Sequence, residues 1–173
     1  MVRIGILNGS DSDLPQCLPG FEFLDQMVAE EKAQVVEVIT ASIHRNTEFV
    51  LEKLRSLVGK VDVLIIGAGW ANHLTGTADA FLRYTIGNDH IVVIGVAFED
   101  KDNSEHTQTA VSSITDVPGT QVVFDNFVGS EGFLRACQFA VKNELPEITL
   151  KSPKTIKERG LFDAIAAAKE KAA

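Results

Sequence analysis

Five short apolar runs alternate with stretches of helical period, and that alternation constrains the chain more than any other feature. Val2–Leu7, Val35–Thr40, Val61–Ile66, Ile91–Val96 and Gln121–Phe124 read as strands. Val61–Ile66 is apolar at every position except Asp62, as expected of a strand covered on both faces. Between the runs lie Leu14–Lys32, Thr47–Val58, Leu74–Ile86, Thr107–Ile114 and Ser130–Asn143. Phe49, Val50, Leu54 and Leu57 share one helical face; Phe133, Leu134, Cys137, Phe139, Ala140 and Val141 mark the apolar positions of the last stretch. Pro15 suits a first helical turn, whereas Pro19 followed by Gly20 predicts a kink or a delayed start. The pattern predicts an α/β domain over residues 1–146, a three-layer sandwich with a mostly parallel five-stranded sheet and right-handed crossovers.

Residues 147–173 differ in character. Pro146 and Pro153 bracket a connector, and Thr155–Ala173 reads as a terminal helix with Ile156, Leu161, Ile165 and Ala168 as its apolar positions. Such a helix is too thin to fold alone. It is expected to pack on another subunit or across the domain surface.

Composition narrows the function classes. The 173 residues suit one domain with a full core, and 45% are hydrophobic, well above the disordered range. The net charge of −8 argues against general nucleic-acid or anionic-membrane binding. Cys17 and Cys137 lack metal-ligand spacing and read as two buried thiols. No apolar run reaches the roughly 18 residues of a transmembrane helix. The first strand begins almost at once, without a signal-peptide pattern, so a cytoplasmic protein is expected.

Ligands of open α/β sheets sit beyond the carboxyl ends of the strands. That rule selects the turns after Leu7, Thr40, Ile66 and Val96. The first is Asn8-Gly9-Ser10-Asp11-Ser12-Asp13. A strand opening through such a turn into a helix suits a small anion, because the first helical N–H groups lack internal partners and carry partial positive charge. Gly9 allows close backbone approach, Ser10 and Ser12 can donate hydroxyls to phosphate, and Asp13 can accept from a sugar hydroxyl. Ser12 or Asp13 could equally cap the helix. The second turn holds Ser42-Ile43-His44-Arg45. Arginine matches phosphate or carboxylate, and histidine titrates near neutrality. The third is Gly67-Ala68-Gly69-Trp70-Ala71-Asn72-His73-Leu74. His73 falls near a helix start, where the dipole disfavours its protonated form; a tight turn with a capping role is the alternative.

Taken together, Gly9-Ser10-Asp11-Ser12-Asp13, Ser42-Ile43-His44-Arg45 and Gly67-Ala68-Gly69 with His73-Leu74-Thr75-Gly76 closely resemble the 5-(carboxyamino)imidazole ribonucleotide mutase family of purine biosynthesis, also called PurE. Order and spacing match from Val2 to about Asn143. One branch of that family carboxylates aminoimidazole ribonucleotide directly with carbon dioxide. Arg45 and His73-Leu74 favour the mutase branch, while Asn72 and Thr75–Phe81 look closer to the carboxylase branch. Ile43 stands where alanine is usual, Trp70 where a small residue is expected, and Asn46-Thr47 where Thr-Pro is usual. Thr115-Asp116-Val117 also departs from the pattern, and Glu99–Gln108 is unusually polar.

The resemblance implies a flavodoxin-like fold and a ribonucleotide substrate. It implies no metal and no organic cofactor. By similarity, Gly9, Ser10, Asp11, Ser12, Asp13, Ser42, Arg45 and Leu74 would bind substrate, with phosphate on the Ser10 turn and against Arg45 and ribose hydroxyls on Asp13. The backbone of Gly67, Ala68 and Gly69 would face the imidazole and its carboxylate. His44 would transfer the proton, with His73 as the second catalytic histidine. A homo-oligomer, in the family an octamer with shared active sites, is implied as well. The direct carboxylase, or a divergent member acting on or binding another phosphorylated metabolite, is the alternative function.

Overall fold

The computed structural model describes residues 1–172. Four parallel strands form one sheet in the order β2-β1-β3-β4: β1 is Val2–Asn8, β2 Ala33–Thr40, β3 Val63–Ala68 and β4 Val92–Ala97. The register runs straight from β1 through β3 to β4, with Leu7 beside Ile66 and Ile66 beside Gly95, and shifts by one residue between β1 and β2 at Ile4–Gly5. Helices α1 (Leu14–Ala29), α2 (Thr47–Leu57), α3 (His73–Ala80), α4 (Ser104–Thr115) and α5 (Gly129–Lys142) follow the strands.

The sheet has a core on each face, which makes three layers. Ile4, Ile6, Ile65 and Ile94 pack with Leu24 of α1 and Phe133 of α5. Leu7, Leu64, Ile66 and Val93 pack with Leu54 of α2 and Leu74 of α3. Burial from both sides explains why β3 and β4 are apolar at nearly every position, while the edge strand β2 is only partly buried along most of its length. Cys17 and Cys137 are buried free thiols, and burial pushes the Cys17 thiol up to about 12.

Gln121–Phe124 is not a fifth full strand. Val123 makes one parallel bridge to Ile94, and a second bridge joins Val128 to Ala97. Val123 still donates to Val93 O at 2.8 Å, and its own carbonyl accepts from Gly95 N at 3.0 Å. The ladder stops there because, two residues earlier, the Gln121 N–H goes to the Asp79 carboxylate, at 2.9 Å, rather than to a strand. Asp79 is itself buried against Arg83, with Oδ1 and Nε 3.0 Å apart. Arg83 donates onward to Asn88 O (2.9 Å) and Ile91 O (2.7 Å). This pair ties α3, its π-helical extension Phe81–Ile86 and the entry to β4 to the segment at the sheet edge.

Pro19 does not break α1. The carbonyl it leaves without an intrahelical donor belongs to Pro15, in the first turn, so the helix continues with little loss. Gly20 then allows α1 to lie close on α5: a Cβ there would overlap the Phe133 ring and come within 2.9 Å of Cys137 Sγ.

Leu145 and Ile148 pack against the core, and Thr149 exchanges two 2.9 Å hydrogen bonds with Gln121. Helix α6 spans Leu161–Ala172, starting after Gly160 rather than at Thr155, and none of its described residues is buried. The expected last helical residue, Ala173, lies outside the described residues. Among the described residues no helix is long and apolar enough to cross a membrane.

Candidate active site

The carboxyl ends of β1, β2 and β3 open into one cleft of about 420 Å³, within the range of small-molecule sites. Gly9, Ser10, Ser12 and Asp13 form one wall; Ser42, Ile43, His44 and Arg45 another; Ala68, Gly69, Trp70, Ala71 and Leu74 the third. The three motifs read from the sequence thus meet.

The first wall is a helix entry. Gly9 N donates to Gly67 O at 2.9 Å, and a Cβ on Gly9 would come within 2.9 Å of Ala68 Cβ, so only glycine lets β1 turn here. Ser10 caps the short 3-10 turn Asp11–Asp13: its Oγ accepts from Ser12 N (3.3 Å) and Ser12 Oγ (2.8 Å). Its own hydroxyl proton remains available to a ligand. Helix α1 follows directly, so its unpaired N–H groups and dipole favour an anion at this end. Asp13 is half-buried against the Gly69 turn, and burial pushes its carboxyl up to about 6, partly opposed by a backbone hydrogen bond at Ser10.

The second wall supplies the groups for proton transfer and anion binding. His44 Nε2 lies 3.0 Å from His73 Nδ1, with the rings nearly perpendicular at 77°. One of these nitrogens must donate and the other accept, so the pair cannot carry an N–H on both facing nitrogens. Among the described residues, the other nitrogen of each ring has no partner and is open to exchange. Arg45 is exposed at the cleft and has no carboxylate partner among the described residues.

The third wall is held from behind. Asn72 is fully buried; its Nδ2 donates to Val96 O (2.9 Å), and its Oδ1 accepts from Thr75 N (3.1 Å) and Thr75 Oγ1 (2.9 Å). This side chain caps α3 and locks the β3 exit to β4. The polar loop after β4 is tied to α1 through Gln16, whose amide pairs with Glu99 N and O at 2.9 and 3.0 Å.

Two expected substrate-binding residues stand off the cleft wall. Gly67 is buried, and a Cβ there would lie 2.5 Å from the Phe98 ring, so close packing requires glycine at this position. Asp11 is exposed on the turn but does not line the cleft. His73 reaches the site through His44. Ile43, Trp70 and Ala71 line the cleft without having been assigned a binding role from the sequence. Their signal was position, since each flanks a motif residue, and for Trp70 it was also bulk within a glycine-rich turn.

The family model described as AIR carboxylase matches residues 3–143. The N5-carboxyaminoimidazole ribonucleotide mutase of Thermotoga maritima is 31% identical over 163 residues, covering 92% of this chain and 85% of that protein. The protein of the same name from Pyrococcus abyssi is 33% identical over 102 residues, covering 58% of this chain and 52% of its own length. The crystal structure of Treponema denticola PurE shares the fold, with a TM-score of 0.54 at 15% identity over 98% of this chain and 94% of that one. The span matched by the family model contains every residue that lines the cleft, and the chain belongs to the AIR carboxylase family.

Proposed function

We propose that the chain is an N5-carboxyaminoimidazole ribonucleotide mutase of purine biosynthesis. It moves a carboxylate from the exocyclic amine of its substrate to ring carbon 4. The observation that carries this reading is the meeting of the Ser10 turn, the His44–Arg45 pair and the Gly69 turn in one cleft.

Each group has a task. The phosphate sits on the Ser10–Ser12 turn, at the α1 N-terminus, and against Arg45. Asp13 accepts from the ribose hydroxyls. The carbon–nitrogen bond to the carboxylate breaks as a proton reaches the amine, and carbon dioxide is released inside the cleft. Ring carbon 4 then attacks it, and the proton on that carbon is removed to restore the aromatic ring. His44 gives the first proton and takes the second, so it ends as it began. With Nε2 engaged by His73, Nδ1 of His44 is the nitrogen left for the substrate. A cleft closed around the ring keeps carbon dioxide beside its acceptor. In this reading the working form is a cytoplasmic homo-oligomer, an octamer, with α6 as a contact element.

The test is turnover of the carboxyamino compound by the purified protein, followed by formation of the ring-carboxylated product. His44→Asn is expected to lower turnover by about 10²-fold or more while leaving ribonucleotide binding intact. Unchanged turnover in that variant removes His44 from the mechanism. Product formed only from aminoimidazole ribonucleotide with bicarbonate assigns the direct carboxylase instead.

A further inference from the structure

Trp70 is the chain's single tryptophan, and it occupies an unusual place. It follows Gly69 in the turn after β3, with φ at 57°, a left-handed backbone that a bulky side chain adopts only under strain. The indole lines the cleft and is 64% exposed. One of its faces is covered by the His106 ring, stacked at 3.8 Å and 22°.

His106 is itself fixed in place. Its Nδ1 lies 2.7 Å from Asp100 Oδ2, and its Nε2 lies 3.3 Å from Asn103 Nδ2. One neutral tautomer satisfies both contacts, with Nδ1 donating to the carboxylate and Nε2 accepting from the amide. Asp100 Oδ1 accepts from the backbone N–H groups of Asp102 (2.9 Å) and Asn103 (3.1 Å), which ties the carboxylate to the loop. A strained tryptophan is therefore backed by a built support, while its remaining surface faces the cleft and solvent. Within one chain apolar burial does not account for the indole, since most of it is uncovered. A flat ring backed on one face, beside a turn suited to an anion, suits a second flat ring.

We propose that Trp70 is a specificity-determining residue: supported by His106 and Asp100, its indole is the wall on which the heteroaromatic ring of the bound ribonucleotide stacks. The inference rests on the ribonucleotide reading of the cleft and adds the group that recognises the base. Sugar and phosphate are held by the Ser10 turn, Asp13 and Arg45, so binding of the two halves of the ligand separates.

Fluorescence of the single tryptophan, read beside titration calorimetry, tests this with two ligands, aminoimidazole ribonucleotide and ribose 5-phosphate. Aminoimidazole ribonucleotide is expected to change the emission saturably, and ribose 5-phosphate to bind without changing it. Trp70→Gly, which suits the left-handed backbone, is expected to weaken the first ligand roughly tenfold and leave the second within about twofold. Trp70→Phe, which keeps a flat ring, should recover most of the loss. Calorimetric binding of aminoimidazole ribonucleotide with unaltered emission, or with equal affinity in Trp70→Gly, overturns the stacking role alone. Emission that responds to protein dilution and not to ligand places the indole against another copy and also overturns it. No binding of either ligand to the unmodified protein overturns the ribonucleotide reading, and the inference with it.

Discussion

Asp13 shows how the cleft trades stability for binding. Its carboxyl is raised from 3.8 to about 6, chiefly by burial. Between those two values the folded chain holds a proton that the unfolded chain has released. Stability therefore falls as pH rises through that window, and the loss is complete above it. Asp13→Asn should abolish this slope and stabilise the unliganded protein at pH 7 by on the order of 1 kcal/mol, allowing for its partial exposure. The same change removes an acceptor for ribose hydroxyls, so ribonucleotide binding should weaken while the fold gains. Urea midpoints from pH 4 to 7, measured beside the dissociation constant, check both halves. A midpoint that rises with pH in the unmodified protein relative to Asp13→Asn contradicts the assignment. Asp13 was legible as a site residue because it follows a strand exit and a serine turn. Its raised pKa was not, since that depends on the Gly69 turn folding over it.

At the level of elements, close approach of helices decides more than propensity does. Gly20 sits inside α1 where alanine would ordinarily favour the helix by about 1 kcal/mol. The Phe133 ring, fully buried on α5, occupies the space a methyl would need. Gly20→Ala should therefore destabilise the protein by roughly 1–3 kcal/mol, the cost of overpacking a core. Denaturant unfolding measures it, and a stabilised variant would show that α1 and α5 can separate without loss. The same logic explains why Pro19-Gly20 reads as a break in the sequence and is not one. Apolar runs, interrupted by charge only at Arg3 and Asp62, announced β1, β3 and β4 because burial on both faces demands them. The segment around Val123 has similar residues, yet its ladder ends where the Asp79 carboxylate captures the Gln121 N–H. The His44–His73 contact joins two motifs each visible in the sequence, but their pairing requires β2 and β3 to end at the same edge. Trp70 stood out as a bulky residue in a small-residue turn; its support by His106 comes from the first turn of α4, distant in sequence, and carries no local signal.

Across the whole molecule, one part of the chain has no intramolecular reason for its form. Helix α6 buries no described residue, and Phe162 is 86% exposed beside an exposed Leu161. A helix of 12 residues is marginal in water by itself. Its apolar side chains and its helicity are both accounted for if a second copy of the chain covers it, the arrangement proposed above for the working form. The chain up to Thr149 is anchored by the Gln121 hydrogen bonds and by Leu145 and Ile148 against the core, so that boundary divides what the domain holds from what it does not. Removing residues 151–173 should leave the urea midpoint at high dilution unchanged and reduce the mass of the assembly measured by light scattering at working concentration. An assembly of unchanged mass would show that α6 is not the contact. A lowered midpoint at high dilution would show that the helix instead stabilises its own domain.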